Sequence, residues 1–407
     1  MIIDGTIAWI DCAFHDKLSC KRIIFRKMHS PSRRLSKAAA APKNLAGFLY
    51  HRKEPGGSMK FLHMADVHLG CEPDGRSEWA NERKRELWET FRDSIADAER
   101  RKADLVLIAG DLFHRTPDLA QLREVNYLLG SYPGICFALI AGNHDFCGAG
   151  SAWEEFGFAP NVAFLGSREA ECIRFPALSC EVYGFSYDRS RITEGLYDRL
   201  RPSKNDLFHI LLAHGGDRDH IPIDAQALER SGFDYIALGH IHKPGVVIPG
   251  RAFYPGALSP IDAGDEGPHG YLEVETHGTA VEVHFIKKAL REYVSLVINA
   301  TEEDTVFSMR DRVQEAVAQR GKENLYRVTI RGQRHPAVLF DTELIRSAGM
   351  ILDVKDESVP AFHIPMLKEQ YKGQLIGRFI ESFEGAPEGS VEQKALLAGL
   401  EALLSSR

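Results

Sequence analysis

The residues best suited to chemistry stand just past five short apolar runs. Asp66 and His68 follow 61–65, Asp111 follows 105–109, and Asn143, His144 and Asp145 follow 135–141. His214 follows 210–213, and His240 and His242 follow 235–238. Carboxylates, imidazoles and a carboxamide are donors for divalent cations. Two cations held close together need a shared carboxylate, and Asp111 is central in the order. Imidazoles mixed with carboxylates favour Mn²⁺, with Fe²⁺ or Zn²⁺ as alternatives, over Mg²⁺ with its oxygen shell. A water bridging such a pair loses its proton near neutral pH and can attack, while the cations offset charge on phosphoryl oxygens. The implied chemistry is hydrolysis of a phosphate ester.

Each motif alone is weak: Asp-x-His pairs arise by chance, and Gly-Asp after a strand is usually a turn. Gly142-Asn143-His144-Asp145 and Gly239-His240-Ile241-His242 are more specific. Their order carries the weight, because ligands gather beyond the carboxyl ends of strands in α/β sheets. Seven donors (Asp66, His68, Asp111, Asn143, His214, His240 and His242) would then meet at one sheet edge.

The elements that must position them follow from periodicity. Trp88, Phe91, Ile95 and Ala98 recur every three or four residues between the first two runs, a helix packed on the sheet. Thr116 can cap a second helix with Pro117 at its first position and Leu119, Leu122 and Leu129 within. Beyond Gly256 the segments 270–274 and 281–286 are strand-like without crossovers, and a second sheet is expected from them. A small α/β unit is expected next, with strands at 293–298, 326–330 and 350–354 and helices from a Thr301-x-x-Asp304 cap and over 337–347. A helix carrying Leu367, Tyr371, Leu375 and Phe379, and another after Ser390-x-x-Gln393, end the chain.

The chain has 407 residues and a formal charge of −7. Its length suits two or three domains. No apolar run approaches the roughly 18 residues of a membrane helix, so no membrane association is expected. Seven scattered cysteines without a Cys-x-x-Cys pair argue against a disulfide framework or zinc finger, and a cytoplasmic setting is expected. The first 58 residues hold 11 Lys/Arg against 4 acids, a net +7 that leaves −14 for the rest. Met59 precedes the first strand, and translation is expected to begin there naturally, with 1–58 a basic, disordered extension. An acidic body opposes non-specific nucleic-acid binding. Two cations, with Lys243, Arg189, Arg191 and Arg251 in segments near the ligand loops, could still create a local positive field. His63 and His209 fall on the strand face opposite their neighbouring ligands and read as structural. His269, in a Gly/Pro-rich turn, reads as exposed.

The ordered set Asp66-x-His68, Gly110-Asp111, Gly142-Asn143-His144-Asp145, Ala213-His214-Gly215 and Gly239-His240-Ile241-His242 resembles the calcineurin-like metallophosphoesterases. The resemblance implies an α/β fold of two facing sheets flanked by helices. It implies one cation held by Asp66, His68, Asp111 and His242, and another by Asp111, Asn143, His214 and His240. It further implies that His144 protonates the leaving oxygen and that Asp145 orients its ring. His68-Leu69-Gly70, Gly110-Asp111-Leu112-Phe113-His114, Tyr183-Gly184-Phe185-Ser186 and Tyr254-Pro255-Gly256 are similar to SbcD-type exonucleases of double-strand break repair. That likeness implies a catalytic domain over 59–288, an α/β capping domain over 289–357 and C-terminal helices over 358–407. It also implies His114 beside the cations, DNA as substrate, a homodimer, and an SbcC-type ATPase docked on the apolar stripe of 367–383. That stripe could equally pack on the chain's own body.

Two other functions compete. The same ligand order serves hydrolases of cyclic nucleotides and other small phosphodiesters. A metal-free scaffold is also conceivable, although no ligand position is substituted. Protein phosphatases fit less well, since they continue Gly-Asp with Asp-Arg-Gly where this chain has Phe113-His114-Arg115.

Overall fold

The computed structural model describes residues 58–75 and 77–405, so the basic stretch 1–57 lies outside the described residues. The first half alternates strand and helix: β1 (Lys60–Met64), α1 (Ala80–Arg100), β2 (Leu105–Ala109), α2 (Leu119–Gly130), β3 (Cys136–Ile140) and β4 (Val162–Phe164). Then follow β5 (Glu171–Phe175), β6 (Cys180–Gly184), β7 (Phe208–His214), α3 (Ala225–Glu229), β8 (Tyr235–Gly239), β9 (Gly245–Ile248), β10 (Ala252–Tyr254), β11 (Gly270–His277) and β12 (Ala280–Lys287).

These strands form two six-stranded sheets, ordered β12-β11-β1-β2-β3-β4 and β5-β6-β7-β8-β10-β9. β1 to β3 are buried on both faces, which is why they read as unbroken apolar runs. On one face Leu62, Val106, Ile108 and Leu139 pack against Phe91 and Ile95 of α1 and Leu122 and Val125 of α2. On the other, Phe61, Leu105, Leu107 and Ile140 meet Val182, Ile210, Leu212 and Ala237 of the second sheet. The far face of that sheet is covered by Phe185, Tyr197, Leu228 and Phe233. The molecule thus has the two facing sheets with flanking helices expected of it.

The partition of strands differs from expectation. β11 and β12 do not found the second sheet; β11 runs antiparallel beside β1, with His63 opposite Leu272, and β12 continues that edge. The second sheet is built instead from β5 to β10, so the fourth and fifth ligand-bearing runs belong to it. Alternation marks which residues are buried, not which edge a strand seeks. The cap of α2 is also displaced: Asp118 accepts from Gln121 N in a capping box, two residues past Thr116.

A third sheet follows, from β13 (Tyr293–Ala300), α4 (Val306–Arg320), β14 (Leu325–Arg334), α5 (Thr342–Arg346), β15 (Ile351–Asp356) and β16 (Val359–Pro360), ordered β13-β14-β15 with β16 beside β14. Its core is separate, with Met309, Val313 and Val317 of α4 over Leu296, Val328 and Ile330. Thr301 N does donate to Asp304, but the helix is capped by Thr305 with Ser308. The helix expected over 337–347 shrinks to α5, capped by Asp341. Arg291 joins this sheet to α1 through Glu82 and Glu86, and Tyr293 Oη donates to Asp74 at 2.8 Å.

The final segment is three helices, α6 (Ile364–Gln370), α7 (Leu375–Ser382) and α8 (Val391–Ser405). The single stripe expected from 367 to 379 is broken between α6 and α7, where Gly373 takes φ +74°. Leu367, Ile376, Ile380, Leu396 and Leu400 bury one another, while Leu375 is left 70% exposed. Arg334 on β14 pairs with Glu401 of α8 at 2.6 Å.

Candidate metal centre

The donors meet between the two sheets rather than along one edge. β1, β2 and β3 bring Asp66, His68, Asp111 and Asn143 from the first sheet, and β7 and β8 bring His214, His240 and His242 from the second. The loops are laced together by their backbones: His68 N donates to Asp111 O at 3.0 Å and Leu69 N to Leu112 O at 2.9 Å. His240 N reaches the Asp66 carboxylate at 2.9 Å, and His144 N reaches Asp111 Oδ1 at 2.9 Å.

Four of the eight non-glycine residues with left-handed backbone among the described residues lie here. Asp66 (φ 51°), His68 (51°), Asp111 (49°) and His240 (98°) all adopt left-handed backbone, which non-glycine residues adopt only when their surroundings impose it. The glycines beside them are steric requirements. A Cβ at Gly239 would collide with Ala109 O, and one at Gly142 would collide with the Asp111 carboxylate.

Among the described residues four groups of three donors have their ligand atoms within 4.8 Å of one another, and two of them consist wholly of expected ligands: Asp66, His68 and His242, and Asp111, His214 and His240. Asn143 Oδ1 lies 2.9 Å from His214 Nε2 and 3.1 Å from His240 Nδ1. His68 Nε2 stands 3.1 Å from His242 Nε2. Asp111 Oδ2 is 3.4 Å from His214 Nε2 and 3.9 Å from His68 Nε2, so it serves both groups. Asp66, Asp111 and Asp145 are almost wholly buried, and among the described residues no Lys or Arg pairs with any of them. Buried carboxylates whose partners are imidazoles and backbone N–H groups rather than Lys or Arg, with ring nitrogens turned toward one another, fit a pair of divalent cations.

Titration behaviour follows from that crowding. Burial raises Asp66 to about 6, and burial with the Asp111 charge raises Asp145 to about 7. Burial works to raise Asp111 too, but His214 and His68 outweigh it and hold it well below the usual range. Burial pushes His68 well below its ordinary value and His240 down to about 4. Against burial, Asp111 carries His214 up to about 9, and Asp265 carries His242 to about 9. Asp111 and Asp265 thus favour the charged forms of His214 and His242, while burial favours the neutral forms of His68 and His240.

Three of the four ligand imidazoles, those of His214, His240 and His242, are aimed by their other nitrogen. His214 Nδ1 bonds Ala109 O at 2.8 Å, while Tyr187 and Tyr197 donate to His214 O. His242 Nδ1 meets Asp265 at 3.1 Å, and His240 Nε2 meets Asp217 at 2.8 Å. Sequence reasoning missed both aspartates. Asp217 lies three residues past His214 behind two glycines, which is a usable signal, but Asp265 sits in a turn without one.

The remaining expectations divide. His144 is at the exposed rim, its ring stacked on His114 with centroids 5.2 Å apart, and His114 Nδ1 is 3.4 Å from His68 Nδ1. Asp145 does not orient His144: its oxygens accept from Gly142 N at 2.7 Å and Phe113 N at 3.1 Å. His144 Nδ1 faces His114 O at 3.2 Å instead. Asp145 therefore holds the loop, not the ring. His63 bonds Tyr235 Oη and Leu238 O between the sheets, and His209 bonds Asn205; neither belongs to the cluster. His269 is buried rather than exposed, bonding Ala257 O and Asp265 O behind His242. Arg189 is paired with Asp188, Arg191 with Asp219, and Arg251 donates to Glu229 O, so three of the four cationic side chains are already engaged.

Residues 59–244 match the family model of the calcineurin-like phosphoesterases. The chain is 29% identical over 247 residues to the uncharacterized metallophosphoesterase YhaO of Bacillus subtilis, covering 56% of this chain and 60% of that one. It is 28% identical over 285 residues to the DNA double-strand break repair protein Mre11 of Aeropyrum pernix (62% and 66%). It is 29% identical over 197 residues to Mre11 of Methanocaldococcus jannaschii (46% and 52%). The chain thus spans between about half and two thirds of the length of these relatives.

Proposed function

Because residues 59–244 form a calcineurin-like metallophosphoesterase domain, we propose that the chain hydrolyses phosphodiester bonds in DNA with two divalent cations, Mn²⁺ first among them. The observation that carries this reading is the convergence of seven donors from five strand ends on the shared carboxylate of Asp111. The cations supply Lewis acidity toward the phosphate and lower the pKa of water near neutral pH. Asp66, His68, Asp111 and His242 would hold one, and Asp111, Asn143, His214 and His240 the other. His144 has its Nδ1 turned to His114 O, which leaves Nε2 at the open rim to protonate the departing oxygen. His114, stacked on that ring, supports it and contacts the phosphate strand.

DNA is favoured over a small diester because curated relatives include proteins named for double-strand break repair. The third sheet, tied to α1 through Arg291 and to Asp74 in the segment after His68 through Tyr293, would cap the path of a long substrate. Exposed Met366, Leu375 and Val391 on the C-terminal helices are the candidate contacts for an SbcC-type ATPase. The test is nucleotide release from linear duplex and single-stranded DNA with Mn²⁺, with and without chelator, beside a small chromogenic diester. Chelator-sensitive release from DNA is expected. Turnover of the small diester alone would move the assignment to cyclic nucleotides or other small phosphodiesters, and protein that holds no metal and shows no turnover with added Mn²⁺ would leave a metal-free scaffold.

A further inference from the structure

His240 and His242 stand two residues apart after β8, yet they present opposite ring nitrogens to the cluster. His242 turns Nε2 inward and gives Nδ1 to Asp265. That carboxylate is 9% exposed and also accepts from Ile261 N at 3.0 Å, and its loop is pinned from behind by His269. His240 turns Nδ1 inward, toward Asn143, and gives Nε2 to Asp217. The Asp217 side chain is 46% exposed. It is steadied by His220 Nδ1 at 2.9 Å and by the backbone N–H groups of Asp219 and His220 at 2.8 and 2.9 Å.

The inner donors are asymmetric in the same sense. On the His242 side Asp66 adds a full negative charge to the shared Asp111, while on the His240 side Asn143 adds only a carbonyl dipole. A carboxylate behind a ligating imidazole fixes the ring and raises its basicity. A half-exposed carboxylate does so less firmly, because solvent screens it and its side chain has more freedom.

We infer that Asp217, backed by His220, is a positioning residue that sets the affinity of the cation beside His240, making that cation the weaker and exchangeable member of the pair. The inference rests on the cation-pair reading above and adds which half responds to cation supply. Asp217, His220 and His240 also lie within 4.8 Å of one another and could be read as a third ion site. That reading conflicts with the bond to Asp217. A His240 that ligates through Nδ1 carries its proton on Nε2, and the same nitrogen cannot also ligate.

The experiment is Mn²⁺ titration calorimetry of the chelator-stripped full chain, with thermal melting as the check on folding. Two Mn²⁺ per chain with separable affinities are expected. Asp217→Ala weakens the weaker step by about 10-fold to 100-fold and leaves the tighter one unchanged. Asp217→Asn, which keeps an acceptor oxygen, restores part of the loss, and His220→Asn acts in the same direction with smaller effect. DNA hydrolysis by Asp217→Ala recovers toward the wild-type kcat at saturating Mn²⁺, so the change lies in metal requirement. Asp265→Asn weakens the tighter step instead. Unchanged steps in Asp217→Ala, or loss from the tighter step, overturn the inference while the cation pair stands. Three Mn²⁺ in the wild type and two in Asp217→Ala overturn it as well, since Asp217 would then be a ligand. A wild type that binds no Mn²⁺ sinks the cation-pair reading itself. If Asp217→Ala does not fold, His220→Asn decides the matter by the same criteria.

Discussion

The cleft between the first two sheets and the C-terminal third of the chain use buried polarity in opposite ways. In the cleft, Asp66, His68, Asp111, Asp145 and His214 are each no more than 2% exposed and face one another across loops held in left-handed backbone. In the third sheet and the C-terminal helices the interior is apolar, and of the buried charged groups Asp304 and Arg334 each have a partner of opposite sign in Arg312 and Glu401. A fold tolerates crowded like charges only where something offsets their desolvation. The cleft is therefore organised for cations, whereas the C-terminal third is organised for packing.

Substitutions can separate the two. Asp111→Asn should do the most damage, because it removes the carboxylate common to both donor groups; cation stoichiometry measured by plasma emission should fall below two per chain. His144→Ala should lower DNA hydrolysis by about 10²-fold to 10⁴-fold, the usual contribution of a general acid, with stoichiometry unchanged. Gly239→Ala places a methyl against Ala109 O and should cost about 1–3 kcal/mol in chemical denaturation, together with weakened Mn²⁺ binding. Leu400→Ala, at a fully buried position of α8, should cost the helices about 2–5 kcal/mol yet leave kcat on DNA unchanged below the melting transition. Equal loss of activity in Leu400→Ala would erase the contrast.

The smallest effect should be in acid. Burial works against the charged forms of Asp97 in α1 and Asp304 before α4, but Lys288 and Arg100 hold the first, and Thr301 N and Arg312 the second, below the ordinary carboxylate value. A depressed folded-state pKa contributes stability that is present above the unfolded value of about 3.9 and is lost as pH falls through the folded value. Melting temperatures of Asp97→Asn and Asp304→Asn should therefore fall less steeply than wild type as pH drops below about 4. Parallel curves would remove either aspartate from the acid limb.

The candidate site was legible because its chemistry constrains residue type twice. Asp111 must be a carboxylate to bridge, and Gly110, Gly142 and Gly239 must lack a Cβ so that the loops can close on it. Sheet membership was not legible, since β11 finds β1 from some two hundred residues away and its alternation would suit either sheet. Asp217 and Asp265 were missed because a loop carboxylate has no period, and only the ring it faces gives it a role. The C-terminal helices misled for a related reason: the apolar spacing of Leu367, Tyr371 and Leu375 continues through a turn at Gly373 that ends one helix before the next begins.

The most direct measurement is a crystal structure of the Mn²⁺-soaked full chain with anomalous scattering collected at the manganese edge. Two peaks about 3.5–4 Å apart should flank the Asp111 carboxylate, one against Asp66, His68 and His242 and the other against Asn143, His214 and His240. A cleft without peaks, or a lone peak away from Asp111, would contradict the assignment of this site to a cation pair.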